Sequence, residues 1–380
     1  MQQSHSENAQ KGIWLFYFWF FSCLTLYFFE IPLHLLIDFQ NLAFSFQNCS
    51  WNWNQVFQIT GSHLLVICAG AAYLTLFLGT GEFILEMMAG LGFSLAEVWV
   101  WSLALGFVFW GLLAESLAFS GLFYPILLKV LSGLGLVLLL IKDPRRLASR
   151  CWPVKRLQGF SWPWAIVATV LLILTMSNLV APEMSWDAIT YQLVLPRYYL
   201  IHHSFYPVMG MVPSHSPALG EMFFSWGLVW GDDSIARSFC FLAHWGTALT
   251  LVALGTRLIS ERAGWYAAAF YFFFPYLNIY STRGYVDLFE GFYATLGLGT
   301  LALVILDRVH VENKQQDKSV FFLAAFALGA IWAIKYNAMA YGLAAFFILV
   351  WNFRRIKSKL FYGVWLIFFP LFFFIPWALK

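Results

Sequence analysis

Apolar residues in this chain fall in long unbroken runs, not in the spaced stripes of a soluble amphipathic helix. A helix needs about 20 apolar residues to cross a bilayer. Runs approaching or exceeding that length recur at Ile13–Leu36, Gly61–Gly79, Val98–Phe119, Leu122–Ile141, Trp162–Val180 and Ile235–Leu258. They continue at Trp265–Tyr280, Leu288–Leu306, Val320–Ile334, Ala338–Trp351 and Phe361–Ala378. The pattern predicts an all-α, polytopic integral membrane protein of about eleven transmembrane helices. Two further apolar stretches, Thr80–Leu95 and Pro217–Trp230, do not comfortably span and read as interfacial or re-entrant.

The basic residues test that reading. Lys142, Arg145, Arg146, Arg150, Lys155 and Arg156 form one cluster, Arg257 and Arg262 a second. Arg308, Lys314 and Lys318 form a third, and Arg354, Arg355, Lys357 and Lys359 a fourth. With the two short stretches left out of the count, all four fall on one side, which the positive-inside bias makes cytoplasmic. The N-terminus is then inside and the end of the sequence outside. The longest outer loop runs from about Ala181 to Ser234, and its first half, MSWDAITYQLVLPRYYLIHH (Met184–His203), is a polar island in an apolar chain.

Composition narrows the class further. Only 11% of the 380 residues are charged and 20% are aromatic, against roughly 25% charged in soluble domains. No soluble domain of any size and no internal repeat is evident. The polar start MQQSHSENAQKG lacks the features of a cleaved signal peptide, so the first run is expected to remain as a span. The five cysteines form no metal or redox spacing and read as small hydrophobes. Neither a phosphate-binding P-loop nor a GxGxxG turn is present.

The outer side carries few charges, and they sit together at span ends: Asp187, Glu221, Arg237, Asp287 and Lys335. A charge within the apolar layer costs roughly 2.5–3.5 kcal/mol on the insertion scale, so such groups usually face a cavity or one another. Plain readings exist for each. Asp187 could cap a short helix over Ala188–Leu195 that Pro196 ends before a second one begins, the pair lying along the membrane surface. Tyr191 shares the face of Asp187 one turn on. Asp287 could complement a helix dipole, whereas Glu290, a turn deeper, has no such easy account. Arg237 and Lys335 could snorkel. His202, His203 and His215 read as solvated, and His215 with Glu221 matches no zinc spacing. Taken together, carboxylates beside two cations suit a substrate with a phosphate and a leaving group.

The ordered motifs then resemble a known family. D-A-x-x-Y-x-L-x-x-P (Asp187–Pro196) is followed by S-x-S-P-x-x-x-E (Ser214–Glu221), G-D-D-S-I-A-R (Gly231–Arg237), Y-V-D-L (Tyr285–Leu288), G-A-I-W-A-I-K-Y (Gly329–Tyr336) and P-W (Pro376, Trp377). In this order they resemble bacterial GT-C glycosyltransferases of the lipid-carrier-dependent type, relatives of protein O-mannosyltransferases and lipid A aminoarabinose transferases. The resemblance covers about Trp162 to Lys380, giving a membrane leader of about four spans over residues 1–160 and a GT-C-like core over 161–380. It implies inverting transfer of a sugar from a polyprenyl-phosphate donor to an extracytoplasmic lipid, polysaccharide or protein acceptor at a bacterial inner membrane.

By that resemblance Asp187 and Asp287 are the catalytic carboxylates and Arg237 and Lys335 meet the donor phosphate. Tyr191, Glu221, Tyr285 and Glu290 support them. No cofactor is implied, and the D-x-D metal motif is absent. Where the family often has histidine after the tyrosine, this chain has Gln192. Relatives continue past the P-W pair, so the sequence ending at Lys380 reads as a fragment or a short member. The competing readings are a transporter or flippase for a lipid-linked or amphiphilic substrate, and a non-catalytic membrane scaffold. A transporter is expected to show repeats and broken helices near mid-membrane.

Overall fold

A computed structural model describes residues 53–88, 92–142, 175, 178–272, 274–306, 314–352 and 359–380. The expected span Ile13–Leu36 lies outside the described residues, as does nearly all of Trp162–Val180. All regular structure among the described residues is helical.

Among the described residues the first three helices are α1 (Trp53–Glu86), α2 (Leu95–Phe119) and α3 (Pro125–Lys142). A π turn over Ala188–Gln192 leads into α4 (Val194–His202), and a 3-10 turn over Val212–His215 precedes α5 (Leu219–Leu228). Then follow α6 (Asp233–Leu258), α7 (Glu261–Phe272), α8 (Pro275–Tyr280), α9 (Asp287–Ile305), α10 (Lys314–Ile334), α11 (Met339–Trp351) and α12 (Lys359–Leu379).

Among the described residues, four stretches are long and apolar enough to cross a membrane: Leu64–Glu86, α2, α6 and α9. Shorter apolar helical stretches occur at Pro125–Ile141, Lys318–Ile334, Tyr336–Trp351 and Gly363–Leu379. Large apolar side chains lie open on their flanks, among them Leu138, Phe347 and Leu371. Water would penalise such a surface and lipid would not.

The structure changes three expectations. Thr80–Glu86 is not a separate interfacial piece; it continues α1, moving the span there to Leu64–Glu86. Trp265–Tyr280 is two helices, because Pro275 lacks the N–H that would continue α7 and instead begins α8. Pro196 does not divide the loop helices. It sits in the first turn of α4, where a missing N–H is harmless, and the change of helix type comes at Leu193. Pro217–Trp230 does stay short: α5 is ten residues, about 15 Å long.

Packing is tightest where α1 crosses α2. A Cβ on Gly106 would sit 2.0 Å from the Phe77 carbonyl oxygen, and one on Gly81 would sit 1.8 Å from that of Ser102. Only glycine lets the two backbones touch. The core then runs on without a break: Tyr73 donates to the Trp226 carbonyl (2.6 Å), Trp226 to that of Trp110 (2.8 Å), and Tyr293 to that of Ala104 (2.6 Å). Helices from both halves of the chain thus share one interior.

That bundle has two chemically different ends. At one, Arg257 at the foot of α6 meets Glu97 at 2.8 Å, and Ser94 and Glu97 form a capping box at the start of α2. The other end gathers the starts of α6 and α9, the end of α10 and the α4 loop. The loop is stitched to the α2–α3 turn by backbone bonds from Phe123 to His203 (3.0 Å) and from Phe205 to Ala118 (3.2 Å). Because the glycine contacts set the α1–α2 distance, Gly106→Val is expected to lower stability by about 3 kcal/mol, read by thermal unfolding in detergent. An unchanged midpoint would contradict this packing.

Candidate functional site

Asp287 is the first residue of α9, where four N–H groups lack helical partners and a carboxylate is favoured. Lys335 follows the last residue of α10, and its extended backbone (φ −154°, ψ 136°) ends that helix. The end of α10 lies beside the start of α9, so two residues 48 apart in sequence meet. Lys335 Nζ donates to Asp287 Oδ1 at 2.6 Å, and both side chains stay partly open (24% and 40%). Burial alone would lower the Lys335 pKa, but the bond and charge of Asp287, then Glu290 and Asp187, raise it, keeping the ammonium charged.

The rest of the acidic set surrounds this pair. Asp187 lies within electrostatic reach of Lys335, Tyr191 and Tyr285. Its side chain caps nothing, although it stands at the N-cap position of the π turn; the plain capping reading therefore finds no bond. Glu290, nearly buried, faces Lys335 and Asp287 from one turn down α9. Glu221, on α5, is buried. Burial pushes its carboxyl up to about 7, Asp287 adds to that, and Lys380 and Lys335 oppose it. Tyr285 stacks on Tyr280 with ring centres 4.6 Å apart.

Arg237 is placed differently. Its side chain is fully buried, Nη1 donates to the Thr282 carbonyl (3.1 Å), and Nη2 donates to the Ala181 carbonyl (2.6 Å) and Ser234 Oγ (3.1 Å). Glu183 Oε2 stands 3.8 Å from its Nε. With its fork inside the protein, Arg237 ties three chain segments together and does not join the Asp287–Lys335 pair.

Sequence reasoning missed Glu183, the partner in that knot. Its carboxylate accepts from the backbone N–H groups of Ser185 (2.8 Å) and Gly284 (2.9 Å), from Ser185 Oγ, and from Arg283 at 3.4 Å. Burial alone would raise its pKa, yet these bonds and Arg237 hold it below the ordinary carboxylate value. The available signal was an acid four residues before Asp187 in an otherwise apolar approach. Glu115, also missed, is a lone carboxylate inside the α2 run, which is by itself a reason to look. It is buried within reach of Glu221 and Lys380, and one carboxylate oxygen of each glutamate lacks a hydrogen-bond partner.

Of the three outer-loop histidines, His202 and His215 are exposed, as expected of solvated rings, and His203 is partly buried. His202 stacks on Tyr206 (3.8 Å between ring centres) and His203 on Tyr124 (3.9 Å), while the His215 carbonyl accepts from Trp377. No group of three or more His, Cys, Asp or Glu among the described residues is placed to hold a metal ion. Of the cysteines, Cys68 and Cys240 are free thiols.

Chemically, one end of the bundle therefore offers a charged ammonium, carboxylates in different settings and a tyrosine hydroxyl, all beside apolar helix flanks. Removing one member of the buried knot leaves the other unpaired, so Arg237→Ala is expected to cost about 3–5 kcal/mol, measured by thermal unfolding. The Glu183 contribution has a definite pH sign. The folded group titrates below its ordinary value of 4.5, so its stabilisation is complete above that pH and is lost as the pH falls further. Glu183→Gln should flatten this acid-side loss; an unaltered pH slope would contradict the knot. Compared with family models, curated proteins and solved structures, the chain finds no match.

Proposed function

We propose that the chain is a GT-C-like membrane glycosyltransferase, taking a sugar from a polyprenyl-phosphate donor and passing it, with inversion, to an extracytoplasmic acceptor hydroxyl. The observation that carries this reading is the Lys335–Asp287 pair, 2.6 Å apart and partly open, with Asp187 within its field. A fixed ammonium beside carboxylates, at the end of an apolar bundle, suits a lipid-linked phosphate leaving group and an attacking hydroxyl.

In the reaction the acceptor oxygen attacks the anomeric carbon from the face opposite the phosphate. The bond from that carbon to the phosphate oxygen breaks, and its electron pair leaves with the lipid phosphate. Asp287 is engaged by Lys335, whereas Asp187 makes no capping bond, so Asp187 is the better base for the hydroxyl proton. Lys335 offsets charge growing on the phosphate as it departs, and Asp287 holds that ammonium in place. Glu221, Tyr191, Tyr285 and Glu290 shape the surroundings. Lys335 alone of the two cations meets the donor phosphate, and Arg237 holds the loops. On this reading the charged end faces the extracytoplasmic side of a bacterial inner membrane. The gathering of charges at one end speaks against a transporter, whose site is expected near mid-membrane.

The test is mass spectrometry of surface glycans and lipids from cells with the wild-type chain, Asp187→Asn or Lys335→Ala, at matched protein levels. Each variant is expected to lower the product at least about 100-fold. Unchanged product at normal protein levels in Asp187→Asn would overturn the catalytic assignment.

A further inference from the structure

Between the loop carrying Asp187 and the helix carrying Asp287 lies a fully buried amide, Gln192. Its Oε1 accepts from the backbone N–H of Val286 at 3.2 Å, and its Nε2 donates to the Tyr191 hydroxyl at 3.2 Å. Side-chain amides can in principle be turned either way, but a backbone N–H can only donate. The atom facing Val286 must therefore be the oxygen, which leaves the NH2 facing Tyr191. A hydroxyl that accepts from an NH2 still has its own proton to place. Asp187, four residues earlier, is the carboxylate that acts most strongly on that hydroxyl, ahead of Glu221.

We infer that Gln192 is a positioning residue that turns the Tyr191 hydroxyl proton toward Asp187, joining the start of α9 to that carboxylate through one directed chain of hydrogen bonds. The chain runs from the Val286 N–H to Gln192, from Gln192 to Tyr191, and from Tyr191 to Asp187. Two consequences follow. The Val286 N–H, next to Asp287 and outside the helical ladder, gains a partner, so the same amide fixes where α9 begins. Asp187 also gains a donor on one oxygen, which orients the carboxylate and leaves its other oxygen for the incoming hydroxyl. The second consequence rests on the transferase reading; the direction of the bonds does not.

The side chain needed at position 192 must offer one acceptor and one donor on opposite sides. A neutral imidazole does this; leucine does neither, and a carboxylate only accepts. Difference infrared spectra between wild type and Tyr191→Phe, recorded on the full chain in bilayers, isolate the phenolic C–O mode of Tyr191. That mode moves according to whether the hydroxyl donates, accepts or does both. Wild type and Gln192→His are expected to show both, Gln192→Leu donation only, and Asp187→Ala acceptance only. In Gln192→Glu the hydroxyl should donate to the new carboxylate, so the band should no longer respond to Asp187→Ala.

A band unmoved by Gln192→Leu, or by Asp187→Ala at matched folded protein, would overturn the chain of bonds. In the product assay, Gln192→Leu and Gln192→Glu should each lose about tenfold, and Gln192→His should stay within about threefold of wild type. Full product from Gln192→Leu would overturn the link to turnover even if the band shifted. If wild type itself yielded no product, the transferase reading would fall, and the band alone would decide the hydrogen-bond direction.

Discussion

A buried guanidinium must be satisfied inside an apolar bundle, and Arg237 is the point from which the charged end is organised. An unpaired charge there would cost several kcal/mol. The chain avoids that cost by bringing the Ala181 and Thr282 carbonyls and the Glu183 carboxylate around it. Those atoms come from the segment before Asp187 and from the loop before Asp287, while Ser234 at the start of α6 adds its hydroxyl. Satisfying one cation thus fixes two loops relative to each other. The candidate carboxylates inherit their positions from that requirement.

A second layer of order sits on the first. Glycines bring α1 and α2 into backbone contact, and α10 ends where α9 starts, so Lys335 meets Asp287 without a long connecting loop. Gln192 closes the gap between the two loops with a bond at each end of its amide. The site end is consequently built of short connections, although Glu115 and Glu221 each keep one carboxylate oxygen without a hydrogen-bond partner. Asp187, Asp287, Lys335 and Tyr285 are each partly exposed there.

Much of this was legible in the residues. The length of the apolar runs gave the helices, and the joint placement of Asp187, Glu221, Arg237, Asp287 and Lys335 at span ends pointed to one charged end, with Glu290 a turn deeper. What the sequence could not reveal was which cation was partly exposed and which was buried. Arg237 and Lys335 look alike as boundary charges, and only the carbonyl oxygens around Arg237 tell them apart, because carbonyls leave no mark in a sequence. Glu183 escaped for the same reason: its partners are largely backbone N–H groups. Gln192 stood out only as a departure from a motif, and its two hydrogen bonds give that departure a physical sense. The break at Pro275 was visible as a proline inside an apolar run, whereas the shift of the first described span to Leu64–Glu86 depended on helix continuity through Gly79 and Gly81, which the sequence alone does not guarantee.

The central claim is that Lys335, held by Asp287, receives a lipid phosphate while Arg237 serves only the fold. Native mass spectrometry of the full chain with a polyprenyl monophosphate tests it most directly. The account predicts a bound lipid phosphate on wild type, lost on Lys335→Gln and retained on Arg237→Lys at matched folded protein. Equal binding by wild type and Lys335→Gln, or no binding by wild type, would contradict it.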